Sequence, residues 1–498
     1  MRAGRGHAGR RRRGLLRIAI NAEPYALYSG FLSALDARST TVVVGAGLAG
    51  TAAALTAAEA GGRVVLVEKG ERIDALANAV QSGGVLHLGF HGVATPVAEL
   101  REWIDRTTAG TARPALADAY AAHALESVEW LVAHGIEFES YADDPASQYT
   151  FRPRRSFDHA QAWPGGGSHL AMRRLQGSVL AAGGEVRTDT KAVGLIEDGG
   201  SVAGVEVRGE RGGEVLAAGR VVLADGGFQA NPMLVEAHIG RFAERVVLRG
   251  ARGGTGDALR MAVAIGAKAV GMAGFYGHCL HREALENDRL WPGPVLDMLI
   301  EGGVLVDRRG SRFMDEARGG IAAANVVAGS DDPLGTWVIT DLDSWETTAR
   351  NYVLRLPVAL PNPELERRGA TLVRADDAVG LATSTGMSQE ALSGELAAVA
   401  AALAAGRGGD LPVPRGGDVR PLRPPYLAIP MVPGITFTMG GLLVDDRARV
   451  LDTEERPIPG LYAAGGTMGG LQGGGPRGGY LGGLLEALVF GRIAGGQE

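Results

Sequence analysis

An apolar β-branched run, Thr41-Val42-Val43-Val44, stops at three closely spaced glycines, Gly45, Gly47 and Gly50. An alanine-rich stretch with helical spacing follows, from Thr51 to Ala60. The pattern predicts a strand, a tight turn and a helix. A second apolar run, Val64 to Val67, predicts another strand, ending at Glu68-Lys69. Between 97 and 135 the apolar positions Leu100, Trp103, Ile104, Tyr120, Leu125, Val128 and Leu131 recur every three or four residues, which predicts core helices. A glycine turn at 163–169 feeds a further helix to about 182. Short runs at 185–188, 192–196 and 202–207 then read as a β-ribbon returning the chain to the first sheet. That ribbon leads to Arg220-Val221-Val222-Leu223-Ala224-Asp225-Gly226-Gly227-Phe228, a buried parallel strand with a glycine turn at its carboxyl end.

From about 238 to 360 the texture changes to scattered aromatics and Gly-Pro turns without βαβ alternation, which predicts an inserted second domain. The run 304–316 within it, rich in charge around Arg309-Gly310, reads equally well as a solvated hairpin. Residues 406–434, rich in glycine, proline and arginine, read as a long surface connection. Strands return at 435–445 and 458–466, and a glycine-rich loop through Gly479 precedes a last helix from about 482 to 494. The expected division is a disordered basic extension (1–38), an α/β domain in two parts (39–237 and 361–498), and an α+β insert (238–360).

The first turn carries specific chemistry. Gly45 permits the turn, Gly47 lets backbone approach a pyrophosphate, and Gly50 lets helix and strand pack closely. Leu48 and Ala49 open the helix, whose N-terminus faces the phosphates. Glu68, with Lys69 beside it, stands near the distance of about 20 residues at which an acid accepts hydrogen bonds from ribose hydroxyls. Asn78, Ser82, Gly83 and Gly84 form a stretch suited either to passing close to a planar ligand or to tight packing.

Composition removes other classes. The 498 residues carry a net charge of -6, with 46% hydrophobic and 21% charged residues, which argues against a nucleic-acid binder. Cys279 is the only cysteine, so no intramolecular disulfide or cysteine metal cluster is available; a reducing, cytoplasmic setting is expected, with no metal. No apolar stretch has membrane-spanning length. Arg2, Arg5, Arg10, Arg11, Arg12, Arg13 and Arg17 crowd the first residues, but Asn21, Glu23 and Pro24 interrupt the apolar region that a twin-arginine signal needs. A disordered arm or an over-long gene start is expected there.

Six motifs in order resemble one flavoprotein family, that of fumarate reductase and succinate dehydrogenase flavoprotein subunits, ketosteroid dehydrogenases and tricarballylate dehydrogenase. They are 43–50, 221–232, Thr255-Gly256-Asp257 with Met261-Ala262, 312–316, 457–465 and 487–495. The resemblance implies a Rossmann-like FAD-binding domain with an inserted α+β capping domain, and substrate held between them against the flavin. It implies FAD held without a covalent link, because Ala77 stands where succinate dehydrogenases attach it through histidine. Glu68 would hold the adenosine ribose and Asp257 would help bind FAD. Val193, Asp225, Gly226, Gly465, Gly466, Gly483 and Leu484 complete the implied cofactor set.

The departures bear on substrate. Gly320 stands where fumarate reductases keep a proton-donating arginine, and Arg318 lies two residues short of it. Thr436-Phe437-Thr438 lacks their substrate-binding histidine, Gly466 replaces a glutamate, and Leu296 and Leu299 replace the acid and arginine of a proton relay. His278 and Arg477 fall near a substrate-contacting histidine and a carboxylate-binding arginine. Tyr480 is similar to a terminal-loop tyrosine of ketosteroid enzymes, in which a deprotonated tyrosine abstracts a proton while flavin takes the hydride. The expected function is FAD-dependent oxidation or reduction of a carbon–carbon bond next to a carboxylate or carbonyl. Arg318 is the expected proton donor or anchor, helped by Arg477, Tyr480 and His278, unless it merely pairs with Asp315 or Glu316. Expected partners are a carboxylic acid or enone and an unidentified electron donor or acceptor. The contrasting class is a flavin electron carrier or degenerate scaffold.

Overall fold

The computed structural model describes residues 39–496 except 75, 141–142, 155–164, 211 and 352–358. The basic extension and the start of the turn at 163–169 lie outside the described residues. The first main elements are β1 (Thr40–Val44), α1 (Leu48–Glu59) and β2 (Arg63–Val67), then the helices α2 (Val97–Thr108), α3 (Pro114–Ala133) and α4 (Gly167–Ala181). After α4 come β3 (Glu185–Arg187), a three-stranded antiparallel ribbon of β4 (Lys191–Asp198), β5 (Ser201–Gly209) and β6 (Gly212–Ala217), and β7 (Arg220–Leu223).

Helix α5 (Asp257–Ala264) packs against β4 of the ribbon, and the second body contains β8 (Phe275–His281), α6 (Asp297–Gly302), β9 (Val304–Val306), α7 (Gly319–Ala328), β10 (Trp337–Asp341), β11 (Val373–Ala375), α8 (Gln389–Ala404) and β12 (Tyr426–Thr438). The chain then returns through β13 (Arg449–Leu451), β14 (Pro457–Ala463) and α9 (Gly483–Gly495).

The first sheet runs in the order β13-β14-β7-β1-β2-β3, with β14, β7, β1, β2 and β3 mutually parallel. Its central strand β1 is buried throughout, which accounts for an uninterrupted apolar run rather than an alternating one. Helix α1 is alanine-rich because it is buried on nearly every side. A Cβ on Gly491 or Gly495 of α9 would lie 2.4 or 2.2 Å from the Ala49 or Ala53 carbonyl oxygen, so the two helices touch backbone to backbone.

In the second sheet β12 pairs with β8, β10 and β11, and β9 adds beyond β10. Two expectations change here. The supposed surface connection at 406–434 ends in a buried central strand from Tyr426 onward, and Arg415 within it is also buried. The boundary expected at 361 falls inside the second body, since α8 packs its apolar residues Leu392, Leu396 and Val399 in one cluster with Val304, Val306, Ile339 and Ala428 of that sheet. Proline and glycine masked the strand, because Pro430 and Pro433 interrupt the β-branched texture while the neighbouring chain still pairs with them. Among the described residues, no helix is long and apolar enough to cross a membrane.

Candidate active site

The turn after β1 closes as its glycines require. Gly45 has φ +99, and a Cβ there would lie 2.5 Å from the Ala224 carbonyl oxygen. A Cβ on Gly50 would lie 1.9 Å from the Gly45 carbonyl oxygen, so Gly50 lets helix and turn meet and does not itself line the cavity. Gly47 has nothing within 4 Å of its Cβ direction. It opens onto a cavity of about 750 Å³ that runs from this turn, past the carboxyl ends of β1, β2 and β7, to the face of β8 and β12.

At the nucleotide end, Glu68 is buried and both its oxygens are oriented: Oε2 accepts from the Ala46 N–H at 3.0 Å and Oε1 from the Gly70 N–H at 2.8 Å. Each oxygen keeps a second lone pair for a ligand hydroxyl. Asp257 binds Lys69 at 2.9 Å, Lys191 at 3.1 Å and Arg260 at 2.6 Å. Burial raises its pKa, but the Thr255 hydroxyl, Lys69 and Lys191 outweigh that and hold it below the ordinary carboxylate range. Burial pushes Asp225 up to about 6 against the opposing Ala258 N–H.

Along the middle of the cavity lie Asn78, Ser82, Gly83 and Gly84 on one chain half, and Gly465, Gly466, Gly483 and Leu484 on the other. Asn78 is fixed, donating to the Thr436 carbonyl at 3.0 Å and accepting from the Ala251 N–H at 2.7 Å. Leu48, Ala49, Lys69, Gly226 and Ala77 also line the cavity. Of the expected cofactor residues only Gly50 and Val193 do not. Val193 is half-buried on β4 beside Ala192, and the cavity takes Lys191 and Ala192 instead.

Replacing Glu68 by Gln puts an amide NH₂ against one of two backbone donors. FAD should bind more weakly by ~1.5–3 kcal/mol, the range for hydrogen bonds to charged groups. Titration of apoprotein with FAD checks this; an unchanged dissociation constant would mean that the ribose lies elsewhere.

At the far end four side chains form a chain. The Tyr480 and Tyr276 rings stack at 4.0 Å between centroids, and the two phenols act electrically on one another. The Tyr276 hydroxyl is 3.0 Å from His278 Nε2, and His278 Nδ1 is 2.6 Å from Asp297 Oδ2. A single ring proton on Nδ1, donated to Asp297, leaves Nε2 to accept from Tyr276. The remaining Asp297 oxygen accepts from the Cys279 N–H at 3.3 Å. Tyr276 and His278 share a face of β8, two residues apart. Burial pushes Tyr276 up to about 12 and Tyr480 well above the ordinary phenol range. Phe437 and Phe90 extend this wall of rings.

Arg318, the expected donor, is exposed on the single turn Glu316–Arg318 and does not line the cavity. It does not pair with Glu316 either, because that buried carboxylate is taken by Arg312 at 2.6 Å and Arg415 at 3.5 Å. The turn at Arg309-Gly310 is a tight hairpin with Arg308 and Arg309 exposed, while the segment 312–316 that follows it is a buried ion-pair centre. At Gly320, the position of the arginine in fumarate reductases, a Cβ would lie 2.0 Å from Asp297 Cγ. The Asp297 carboxylate occupies that space. Leu296 and Leu299, at the expected relay positions, are core residues, whereas Asp297 and Glu301 of the same helix face the cavity. Arg477 reaches the cavity rim, exposed, with its guanidinium 5.8 Å from the Phe90 ring centre.

Sequence reasoning also missed Tyr276 and Arg249. The alternation Tyr276-Gly277-His278 held a usable signal for the first. Among the described residues no group of three or more His, Cys, Asp or Glu is placed to hold a metal.

The comparisons agree with this geometry. The sequence model described as an FAD binding domain matches residues 40–480. Urocanate reductase of Eggerthella lenta is 28% identical over 488 residues, 91% of this chain and 73% of that enzyme. NADH:acrylate oxidoreductase of Vibrio harveyi is 27% identical over 363 residues, 71% of this chain but only 34% of that protein, so the chain spans about a third of its length. In fold, the structure matches 3-ketosteroid-Δ4-(5α)-dehydrogenase from Rhodococcus jostii with a TM-score of 0.69 at 23% identity, over 91% of this chain and 95% of that one. The open glycine turn, the oriented Glu68 and the long cavity fit FAD, and the chain belongs to the FAD-binding-domain family of flavin-dependent oxidoreductases.

Proposed function

We propose that this flavoprotein reduces a carbon–carbon double bond conjugated to a carboxylate or carbonyl, with Tyr480 delivering the proton that fumarate reductases draw from an arginine. The observation that carries this reading is the chain Tyr480–Tyr276–His278–Asp297, which ends in the cavity beside a filled arginine position. FAD, when bound and reduced, supplies the hydride to the β-carbon. Tyr480 gives its proton to the α-carbon, Tyr276 restores it, and a solvent proton taken up at His278 Nε2 restores Tyr276 in turn. The buried phenols stay protonated at neutral pH, which supports proton donation over abstraction. The ring wall of Phe90, Tyr276, Phe437 and Tyr480 supports a planar, conjugated substrate.

A second reading, dehydrogenation of a cyclic ketone, draws on the Gly483 N–H. At the start of α9 this N–H acts on the Tyr480 phenol and works against the rise that burial causes.

The test is anaerobic. Photoreduced holoenzyme is mixed with acrylate, cinnamate, urocanate and cyclohexenone, and the flavin absorbance is followed. At least one is expected to restore the yellow colour. If none does, and no saturated counterpart bleaches the oxidised enzyme, the protein is a carrier and the proposal fails. Acid precipitation of the holoprotein should leave all flavin in the supernatant, because Ala77 offers no attachment atom; flavin in the pellet would refute non-covalent binding.

A further inference from the structure

Arg249 follows the two-residue strand Val247–Leu248, and its N–H donates to the Ile435 carbonyl at 2.7 Å. Its stem crosses β12 at Gly434, where a Cβ would lie 2.6 Å from Arg249 Cδ. The guanidinium is held at two points: Nε donates to the Pro292 carbonyl at 2.9 Å, and Nη1 to Thr436 Oγ1 at 2.8 Å. Both acceptors are neutral. The side chain lines the cavity together with Tyr276 and His278. Among the described residues no carboxylate forms an ion pair with it; Asp297, the acid that acts on it electrically, is already engaged by His278 and the Cys279 N–H. Burial lowers its pKa, so holding this charge costs free energy that Tyr276 and Asp297 offset only in part. Arg477 is different, since it is exposed at the rim and acts electrically on Glu301.

We infer that Arg249 is the anchor for the substrate's carboxylate, gripping it beside the Tyr276–His278 pair while Arg477 plays the smaller part. The inference rests on the reading of this cavity as the site of double-bond reduction. A guanidinium already fixed at two donors presents its other N–H groups in a set plane, which matches a planar carboxylate and loses little entropy on binding it. The neutral grip from Pro292 and Thr436 orients the group without cancelling its charge.

The experiment titrates oxidised holoenzyme with cinnamate and with its neutral amide, cinnamamide, reading the perturbation of flavin absorbance. Wild type should bind the acid more tightly. Arg249→Met should shrink that preference at least ~tenfold with FAD content unchanged, and Arg249→Lys should retain part of it. Arg477→Met should shrink it less. The inference is overturned if wild type does not favour the acid, if Arg249→Met keeps the wild-type preference, or if both Arg249 variants lose FAD, which would make it a flavin ligand. If acids fail to bind while cyclohexenone reoxidises the reduced flavin, the anchor falls and double-bond reduction stands. If neither acids nor the enone reoxidise it, both fall.

Discussion

Tyr480→Phe should lower the rate at which substrate reoxidises the reduced flavin by ~10²–10⁴-fold, the usual contribution of a positioned general acid, with FAD content intact. The substitution removes one oxygen and leaves the ring. Stacking on Tyr276 at 4.0 Å, the contact with Phe90 at 5.4 Å and the apolar cluster with Ile321 and Met439 all persist. Folding and cofactor retention therefore report little change, and the loss isolates the hydroxyl. Tyr276→Phe breaks the chain one link further back, so it should slow repeated turnover more than the first reoxidation. Stopped-flow mixing of reduced enzyme with substrate separates the two. An unchanged first step in Tyr480→Phe would place the donor elsewhere and sink the proposed role.

Gly50→Ala has the other large expected effect. The added methyl would stand 1.9 Å from the Gly45 carbonyl oxygen and 3.3 Å from the Ala224 side chain. The first clash is backbone against backbone, so no side-chain rotation relieves it, and α1 must move away from the turn. Overpacking of this kind costs about 1–3 kcal/mol. The displaced helix also carries off the N–H groups that face the pyrophosphate. The variant should bind FAD at least ~10-fold more weakly, or accumulate as apoprotein, measured by the ratio of flavin to protein absorbance. Full FAD occupancy at wild-type affinity would show that the turn tolerates what its geometry forbids.

The nucleotide half of the cavity was legible because its determinants are local. Strand, glycine turn and acid lie within a few dozen residues, and the roles of Gly45, Gly47 and Glu68 follow from backbone sterics alone. The substrate half was legible only in His278, Arg477 and Tyr480, through the family resemblance, because its residues converge from β8, α6, β12 and the loop before α9. Asp297 illustrates the difficulty. It sits between apolar neighbours on a six-residue helix, where an offset of one position exchanges a cavity-facing acid for the core residue Leu296. Arg318 failed for a related reason, since nearness in sequence to the Arg312–Glu316 pair says nothing about which way a single exposed turn points. Residues 426–434 failed because strand pairing by both neighbours overrides a proline-rich composition.

The contact between Gly320 and Asp297 has a consequence for how such enzymes diverge. An arginine cannot enter at Gly320 while Asp297 stands there, since the Cβ alone would lie 2.0 Å from the carboxyl carbon. Removing Asp297 first would strip His278 of its 2.6 Å partner. The two sites are therefore expected to be epistatic: an arginine at Gly320 and the carboxylate of Asp297 exclude one another, so both positions must change together, and the order of substitutions is constrained by sterics before selection on substrate begins.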